Sequence, residues 1–286
     1  MRLTSESFFD NLGHDHLRTF LQLRVRDGVL LRLIGKWLKA GVMEKGSVSY
    51  PEAGSPQGGV ISPLLSNVFL HYVLDLWFEQ EVKPRLRHRA FLVRFADDFV
   101  IGFRDHRDAQ CVMEVLPKRF GKYGLTVHPT KTKLVPFRPP SSSTKDRNGT
   151  PSDRPGTFDF LGFTHYWAKS RRGYWVVKFK TAADRFSRAM RSIASWCRAN
   201  RHLPKCEQQQ KLNEKLRGHY AYYGVTGNSG ALSNFRRAVE RCWHKWLRRR
   251  NRQREMPWDR FQRMLQRYSL ARVTTVHSVL RRAANP

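Results

Sequence analysis

Two adjacent carboxylates, Asp97 and Asp98, stand between the apolar runs Phe91–Phe95 and Phe99–Phe103 in the segment FLVRFADDFVIGF. Neither run has a helical period, which is how two buried strands joined by a tight turn read, so the acids are expected at a hairpin tip. Carboxylates held this close repel each other unless a cation lies between them, and hard oxygen donors suit Mg²⁺. The chemistry that such a pair supports is phosphoryl transfer. Asp is also common in turns, so the pair alone equally suits an ordinary hairpin, and its surroundings must decide.

A second stretch, AGSPQGGVISPLLSN (Ala53 to Asn67), places Gly54, Pro56, Gln57, Gly58 and Gly59 in a bare backbone loop. A ligand can approach such a loop closely, and Ser62-Pro63 marks the start of the helix that it feeds. A loop opening into a helix suits a phosphate or a sugar. Val60 to Glu79 is expected to continue as a buried helix. Upstream, Leu17, Phe20, Leu21 and Leu23 form one apolar helical face, and Leu30, Leu33, Ile34, Trp37 and Leu38 form the next. The triplet His14-Asp15-His16 reads as a helix start with an acid in its first turn rather than as a metal site.

These elements belong to a chain of 286 residues, long enough for one large or two ordinary cores. Its formal net charge of +30 attracts polyanions, nucleic acid first. The charge is uneven: Met1–Thr164 hold 24 Lys/Arg against 17 Asp/Glu, and His165–Pro286 hold 29 against 6. Cys111, Cys197, Cys206 and Cys242 form no CxxC pair and no zinc spacing, which predicts reduced, mostly buried thiols and a cytoplasmic protein. No signal pattern or uninterrupted apolar span occurs, so neither secretion nor membrane insertion is expected.

The C-terminal part reads as helical. Phe186, Met190, Ile193 and Cys197 recur at helical spacing, as do Leu212, Leu216, Tyr220 and Tyr223, then Leu232, Phe235, Val239, Cys242 and Trp246. The opposite faces carry Arg188, Arg191, Arg217, Arg236, Arg237, Arg241 and Lys245, too one-sided a set of cations for a merely solvated surface, so RNA contact is expected there. The aromatic stripe reads as bundle core, with His219 and Tyr222 as candidates for stacking on bases. Arg138–Gly156, rich in Pro, Ser and Gly, reads as a surface insertion.

The motifs GSPQGGVISPLLSN, RFADDFVIGF, GLTVHPTKTKLV (Gly124 to Val135) and FDFLGF (Phe158 to Phe163), in this order and spacing, resemble the reverse transcriptase palm of group II intron-encoded proteins. LRGHYAYYGVTGN (Leu216 to Asn228) is similar to that family's maturase, or thumb, region. The resemblance implies an α+β fold: a palm of antiparallel sheet with packed helices, followed by an all-α three-helix thumb bundle. The implied domains are 1–180 for the palm, 181–250 for the bundle and 251–286 for a basic tail with a short helix.

The resemblance also implies roles. Asp97 and Asp98 match the catalytic, metal-holding box, with Phe95 where Tyr is usual, and two Mg²⁺ ions are expected as cofactors. Pro56, Gln57 and Gly58 match the loop framing the incoming nucleotide, Phe9 the aromatic that excludes a ribose 2′-hydroxyl, and Lys131 the lysine approaching the triphosphate. Phe160, Leu161 and Gly162 match the primer grip. The implied partners are group II intron RNA, its DNA target or primer, and deoxynucleoside triphosphates. The family's other carboxylate, from a strand reading D-x-x-x-F-F-D, would fall at Thr4, so this sequence departs there. Glu6, two residues on, would lie about 6 to 7 Å away along the same strand face, and Asp10 matches an additional acid rather than the catalytic one. The departure and the abrupt start at Met1 lead to the expectation of a truncated or split reading frame, with an upstream fingers fragment as a candidate partner, weakly active or inactive alone. The lack of paired CxxC or His-rich spacing leads to the expectation that the family's endonuclease domain is missing. Polymerase, RNA-binding maturase and decayed remnant thus remain distinct readings.

Overall fold

The computed structural model describes residues 2–3, 13–39, 42–44, 47–49, 61–128, 132–140, 155–250 and 256–277. The chain divides into two compact units, Met1–Pro136 and Phe137–Pro286.

In the first unit, β4 (Ala90–Phe95) and β5 (Asp98–Phe103) form an antiparallel hairpin, and β1 (Arg2–Leu3) adds to the other edge of β5 with Leu3 opposite Phe99. A separate hairpin pairs β2 (Val42–Glu44) with β3 (Ser47–Ser49). Helices α1 (His14–Gln22), α2 (Gly28–Lys39), α3 (Ser62–Leu70) and α4 (His106–Gly121) surround a core in which Leu17, Phe69, Val73, Leu74, Phe78, Ile101, Leu116 and Phe120 are essentially inaccessible to solvent. Beyond Leu70 the helix continues through π-helical turns at His71–Asp75 and Phe78–Val82 into a 3₁₀ turn at Lys83–Arg85. The expected long buried helix is therefore present, although Leu64 faces solvent and Leu65 and Phe69 supply the apolar face.

The hairpin strands are not buried on both sides as their unbroken apolar runs suggested. Burial alternates: Phe99 and Ile101 are buried, whereas Phe91, Val93 and Phe95 on β4 are exposed. A half-covered antiparallel sheet buries one face only, and period-two geometry sends every second apolar residue outward. On that outer face the Phe91 ring lies over Gly102, where an added Cβ would come within 2.3 Å of it. Helix α4 begins at Asp105, whose carboxylate accepts from the backbone N–H groups of Arg107 (2.6 Å) and Asp108 (3.2 Å). These bonds favour the charged form and hold the Asp105 carboxyl below its ordinary pKa. Asp108, buried, accepts in turn from the backbone N–H groups of Arg87 and His88 and so fixes the chain entering β4.

In the second unit a meander of β6 (Phe158–Phe160), β7 (Phe163–Lys169) and β8 (Trp175–Thr181) leads into α5 (Ala183–Ala199), α6 (Lys205–Tyr223), α7 (Ser229–Arg248) and α8 (Trp258–Arg267). The three expected amphipathic helices are α5, α6 and α7. Their core holds Ile193, Cys197, Leu212, Leu216, Tyr220, Leu232, Phe235 and Val239, with Trp243 and Leu247 fully sequestered on α7 and Trp246 only partly so. Compactness divides the chain at Pro136, and the meander lies in the same compact unit as the helices. One buried side chain helps to explain this. Asn228 accepts from the Thr181 backbone N–H (3.0 Å) and donates to the Thr181 hydroxyl (2.9 Å) and to the Tyr223 carbonyl (2.9 Å), joining β8 to both helices. Buried Asn213 similarly holds the C-terminal strap through Ser269 and Ala271.

Of the cysteines, Cys197 is buried and Cys242 partly so, but Cys111 and Cys206 are exposed, which corrects the expectation of mostly buried thiols. Among the described residues no helix is long and apolar enough to cross a membrane.

Candidate active site

The sheet of the first unit delivers Asp97 and Asp98 to one turn. Phe95 pairs with Asp98, leaving Ala96 and Asp97 as the two turn residues, and β1 runs toward this same end of β5. Ala96 has φ of 53°, a left-handed conformation that a residue with a Cβ adopts at a cost of about 1 to 2 kcal/mol. Surrounding bonds must therefore hold the turn. Arg94 supplies them: its Nη1 donates to the Ala96 carbonyl (3.0 Å) and to Asn67 Oδ1 (2.8 Å), while Nε and Nη2 form a fork onto the Asp75 carboxylate at 2.8 and 2.6 Å. The Arg94 side chain is 14% exposed and that of Asp75 27%, so water screens the pair only in part. This clamp ties the tip of the hairpin to α3 and to the π-helical turn after it.

Neither Arg94, Asn67 nor Asp75 was singled out from the sequence. A signal was there: an arginine inside the apolar run FLVRF needs an acid, and Asp75 is the one acid between Ser62 and Phe78.

Asp97 and Asp98 are both partly exposed, and two hard carboxylate oxygens presented from one turn fit a hard divalent cation. Among the described residues no third Asp, Glu, His or Cys joins them in a group able to hold a metal ion. Thr4, Glu6, Phe9, Asp10, Pro56, Gln57, Gly58 and Lys131 lie outside the described residues, as does most of the Arg138–Gly156 insertion.

In the second unit the Phe160–Leu161–Gly162 segment forms the turn between β6 and β7. Phe160 pairs with Phe163, and Leu161 and Gly162 both have positive φ (49° and 77°), the geometry of a tight primed hairpin turn. Helix α6 clamps it. The Tyr222 hydroxyl donates to the Leu161 carbonyl (3.1 Å), its ring stacks on Phe163 at 6.1 Å, and a Cβ added at Gly162 would sit 3.0 Å from the Tyr223 hydroxyl. Tyr222 is 54% exposed. His219 behaves otherwise: its ring stacks on Phe235 at 3.8 Å inside the bundle, and burial pushes its pKa down to about 4. It is thus a half-buried, neutral ring packed against the core on Phe235, not an open platform for a base.

Of the basic positions, Arg188, Arg191, Arg217, Arg237, Arg241 and Lys245 are exposed, and Arg237, Arg241 and Lys245 recur every fourth residue along α7. Arg236 differs, being partly buried and paired with Glu240 at 3.1 Å.

A profile of the Reverse transcriptase (RNA-dependent DNA polymerase) family matches residues 2–165. The chain belongs to that family. The match takes in the Asp97–Asp98 turn, its Arg94 clamp and the turn between β6 and β7. Relatives of this reverse transcriptase family member include "Group II intron-encoded protein LtrA" of Lactococcus lactis subsp. cremoris, 39% identical over 84 residues covering 27% of this chain and 14% of the relative. "Putative COX1/OXI3 intron 1 protein" of Saccharomyces cerevisiae is 37% identical over 175 residues, covering 44% and 21% respectively. "Uncharacterized 91 kDa protein in cob intron" of Schizosaccharomyces pombe is 22% identical over 285 residues, covering 79% and 35%. The aligned segments thus span about a third or less of each of these relatives.

Proposed function

We propose that this chain acts as a group II intron-type reverse transcriptase and maturase, binding intron RNA through its basic helices and copying it into DNA from a DNA primer with deoxynucleoside triphosphates. The first unit would then be the core of the palm, and the α5–α7 bundle the thumb. The observation that carries the reading is the paired-carboxylate turn, tightly clamped by Arg94, in a chain of the reverse transcriptase family.

Asp97 and Asp98 would hold the divalent cations, which when bound supply Lewis-acid stabilisation of charge at the reacting phosphate. The work of the chain's own residues is positional. Arg94 keeps the turn in its strained form, so the two carboxylates meet a cation without rearranging, and preorganised charge is what makes such sites effective. The Leu161–Gly162 turn, stiffened by Tyr222 and packed at Gly162 against Tyr223, would support the primer backbone. Pro56, Gln57, Gly58, Phe9 and Lys131 are proposed as the nucleotide-binding set, and Arg188, Arg191, Arg217, Arg236, Arg237, Arg241 and Lys245 as the RNA-binding set.

A second reading is favoured by two observations: Thr4 stands where the family places a carboxylate, and the cation excess is concentrated after Thr164. On that reading the chain is a splicing cofactor that clamps RNA without polymerising. Primer extension on an RNA template with Mg²⁺ separates them, using the chain itself, Thr4→Asp and Asp97→Ala. The polymerase reading expects extension by the chain or by Thr4→Asp, abolished by Asp97→Ala. No extension by either, with RNA binding retained, would overturn it in favour of the cofactor.

A further inference from the structure

In the second unit, the C-terminal turns of α5 and α7 border a groove of about 740 Å³, lined by Ser195, Arg198, Ala199, Arg201, Trp246 and Arg249. A volume of this order suits one nucleotide-sized group. None of its lining residues was assigned a role above, although Lys245 of the RNA-binding set adjoins it, and among the described residues no acid lines it.

The groove is built rather than incidental. Arg250 uses its guanidinium to donate to the His202 (2.9 Å) and Leu203 (3.2 Å) carbonyls, fastening the end of α7 to the turn after α5. Arg198, Arg201 and Arg249 are exposed and, among the described residues, form no ion pair with an acid. Guanidinium groups gathered on one concave surface repel one another unless an anion neutralises them, and their planar forks match phosphate oxygens. The floor is aromatic. Trp246 is only partly buried, with the Arg249 guanidinium 5.2 Å and the Lys245 ammonium 5.9 Å from its ring centroid. An indole backed by a guanidinium is a flat platform on which a nucleobase stacks. Anion-binding forks beside a stacking platform call for a ligand that carries both phosphate and a free π-face. Within a duplex the bases are already stacked on each other, so the ligand must be unpaired.

We propose that this groove receives an unpaired nucleotide of the bound RNA, its base against the Trp246–Arg249 platform and its flanking phosphates on Arg198 and Arg201. The proposal rests on the RNA-binding reading above and adds to it a single-strand subsite. An acidic peptide would satisfy the arginines but would leave the platform without a role.

The test measures binding of the full chain to a short single-stranded RNA and to a duplex RNA of equal charge. The comparison takes wild type, Trp246→Leu, and the double variant Arg198→Gln with Arg201→Gln, whose exposed positions leave folding intact. Trp246→Leu is expected to weaken single-strand binding roughly tenfold, the scale of one lost base stack, with duplex binding changed less than about twofold. The double variant should reduce the slope of log affinity against log salt for single strands by about 1.4. Irradiation of RNA carrying 5-iodouridine should crosslink to the tryptic peptide containing Trp246. Equal losses for single strand and duplex, an unchanged salt slope in the double variant, or a crosslink elsewhere would each overturn the subsite while leaving RNA binding intact. Absence of RNA binding by the wild type would overturn both readings.

Discussion

Arg94→Ala removes four hydrogen bonds at the base of the carboxylate turn, and the geometry sets the size of the loss. The fork onto Asp75 at 2.8 and 2.6 Å is charge-assisted, and removing Arg94 leaves the carboxylate with only His71 Nδ1 at 3.6 Å and takes a donor from the Asn67 amide oxygen and the Ala96 carbonyl. Breaking a fully buried pair costs about 3 to 5 kcal/mol. Here Asp75 is 27% exposed, so water can solvate part of what is left behind, and a loss of about 2 to 3 kcal/mol is expected. In urea this is a fall in midpoint of about 1 to 2 M at unchanged slope. Arg94→Lys should recover little, since an ammonium cannot span the Asp75 carboxylate, Asn67 and Ala96 at once. A cycle with Asp75→Ala should give a coupling of about 1 to 2 kcal/mol. In primer extension the same variant should lower kcat by about 10²-fold with little change in KM, because misplacing the carboxylates by about 1 Å affects the reacting geometry more than substrate binding. Unfolding within about 0.5 kcal/mol of wild type would refute the clamp, for surface substitutions fall in that range.

The second unit should depend on Asn228 in the same way. Asn228→Ala takes the Asn228 partner from the buried Thr181 N–H and hydroxyl and leaves the Tyr223 carbonyl with only the Val225 N–H (2.8 Å), at a cost of about 2 to 4 kcal/mol that calorimetry would read as a clear fall in Tm; a double-mutant cycle with Thr181→Val showing no coupling would count against the tie. His219 predicts a pH dependence. Its folded pKa of about 4 lies below the ordinary 6.5, so the unfolded chain takes up the proton first as pH falls, and stability declines between about pH 6.5 and 4. Allowing for solvent screening, its contribution to the loss from pH 7 to 5 is about 1 kcal/mol. His219→Phe should flatten that part of the curve, and an unchanged pH profile would show that the ring is not held neutral in the core.

Local patterning carried much of the result. The paired strands around Asp97–Asp98, the helices at 14–22 and 28–39, and the three amphipathic helices of the second unit were legible because period-two and period-3.6 burial leaves its mark directly on apolar spacing. The family was legible because its motifs are short, ordered and local. Spacing could not show that β4 faces solvent on one side, since a continuous apolar run looks alike whether one face or both are covered.

What only the tertiary structure decided are the contacts between residues distant in sequence. Asn228 stands at the N-cap position of α7, yet its amide bonds across to Thr181 and not to its own helix, because β8 ends against it. His219 shares a segment with Tyr222 and looked equally available to a base, but the rotation of α6 turns one onto Phe235 and the other toward the Leu161 turn. Arg94 acquires its meaning only when Asp75 and Asn67, on a helix far earlier in the chain, are brought beside the hairpin tip. The amino-acid sequence determined which residue types were at hand and which local elements they form. The choice of partners, and with it the strained carboxylate turn, belonged to packing, because a hydrogen bond or an ion pair depends on distance in space and not on separation along the chain.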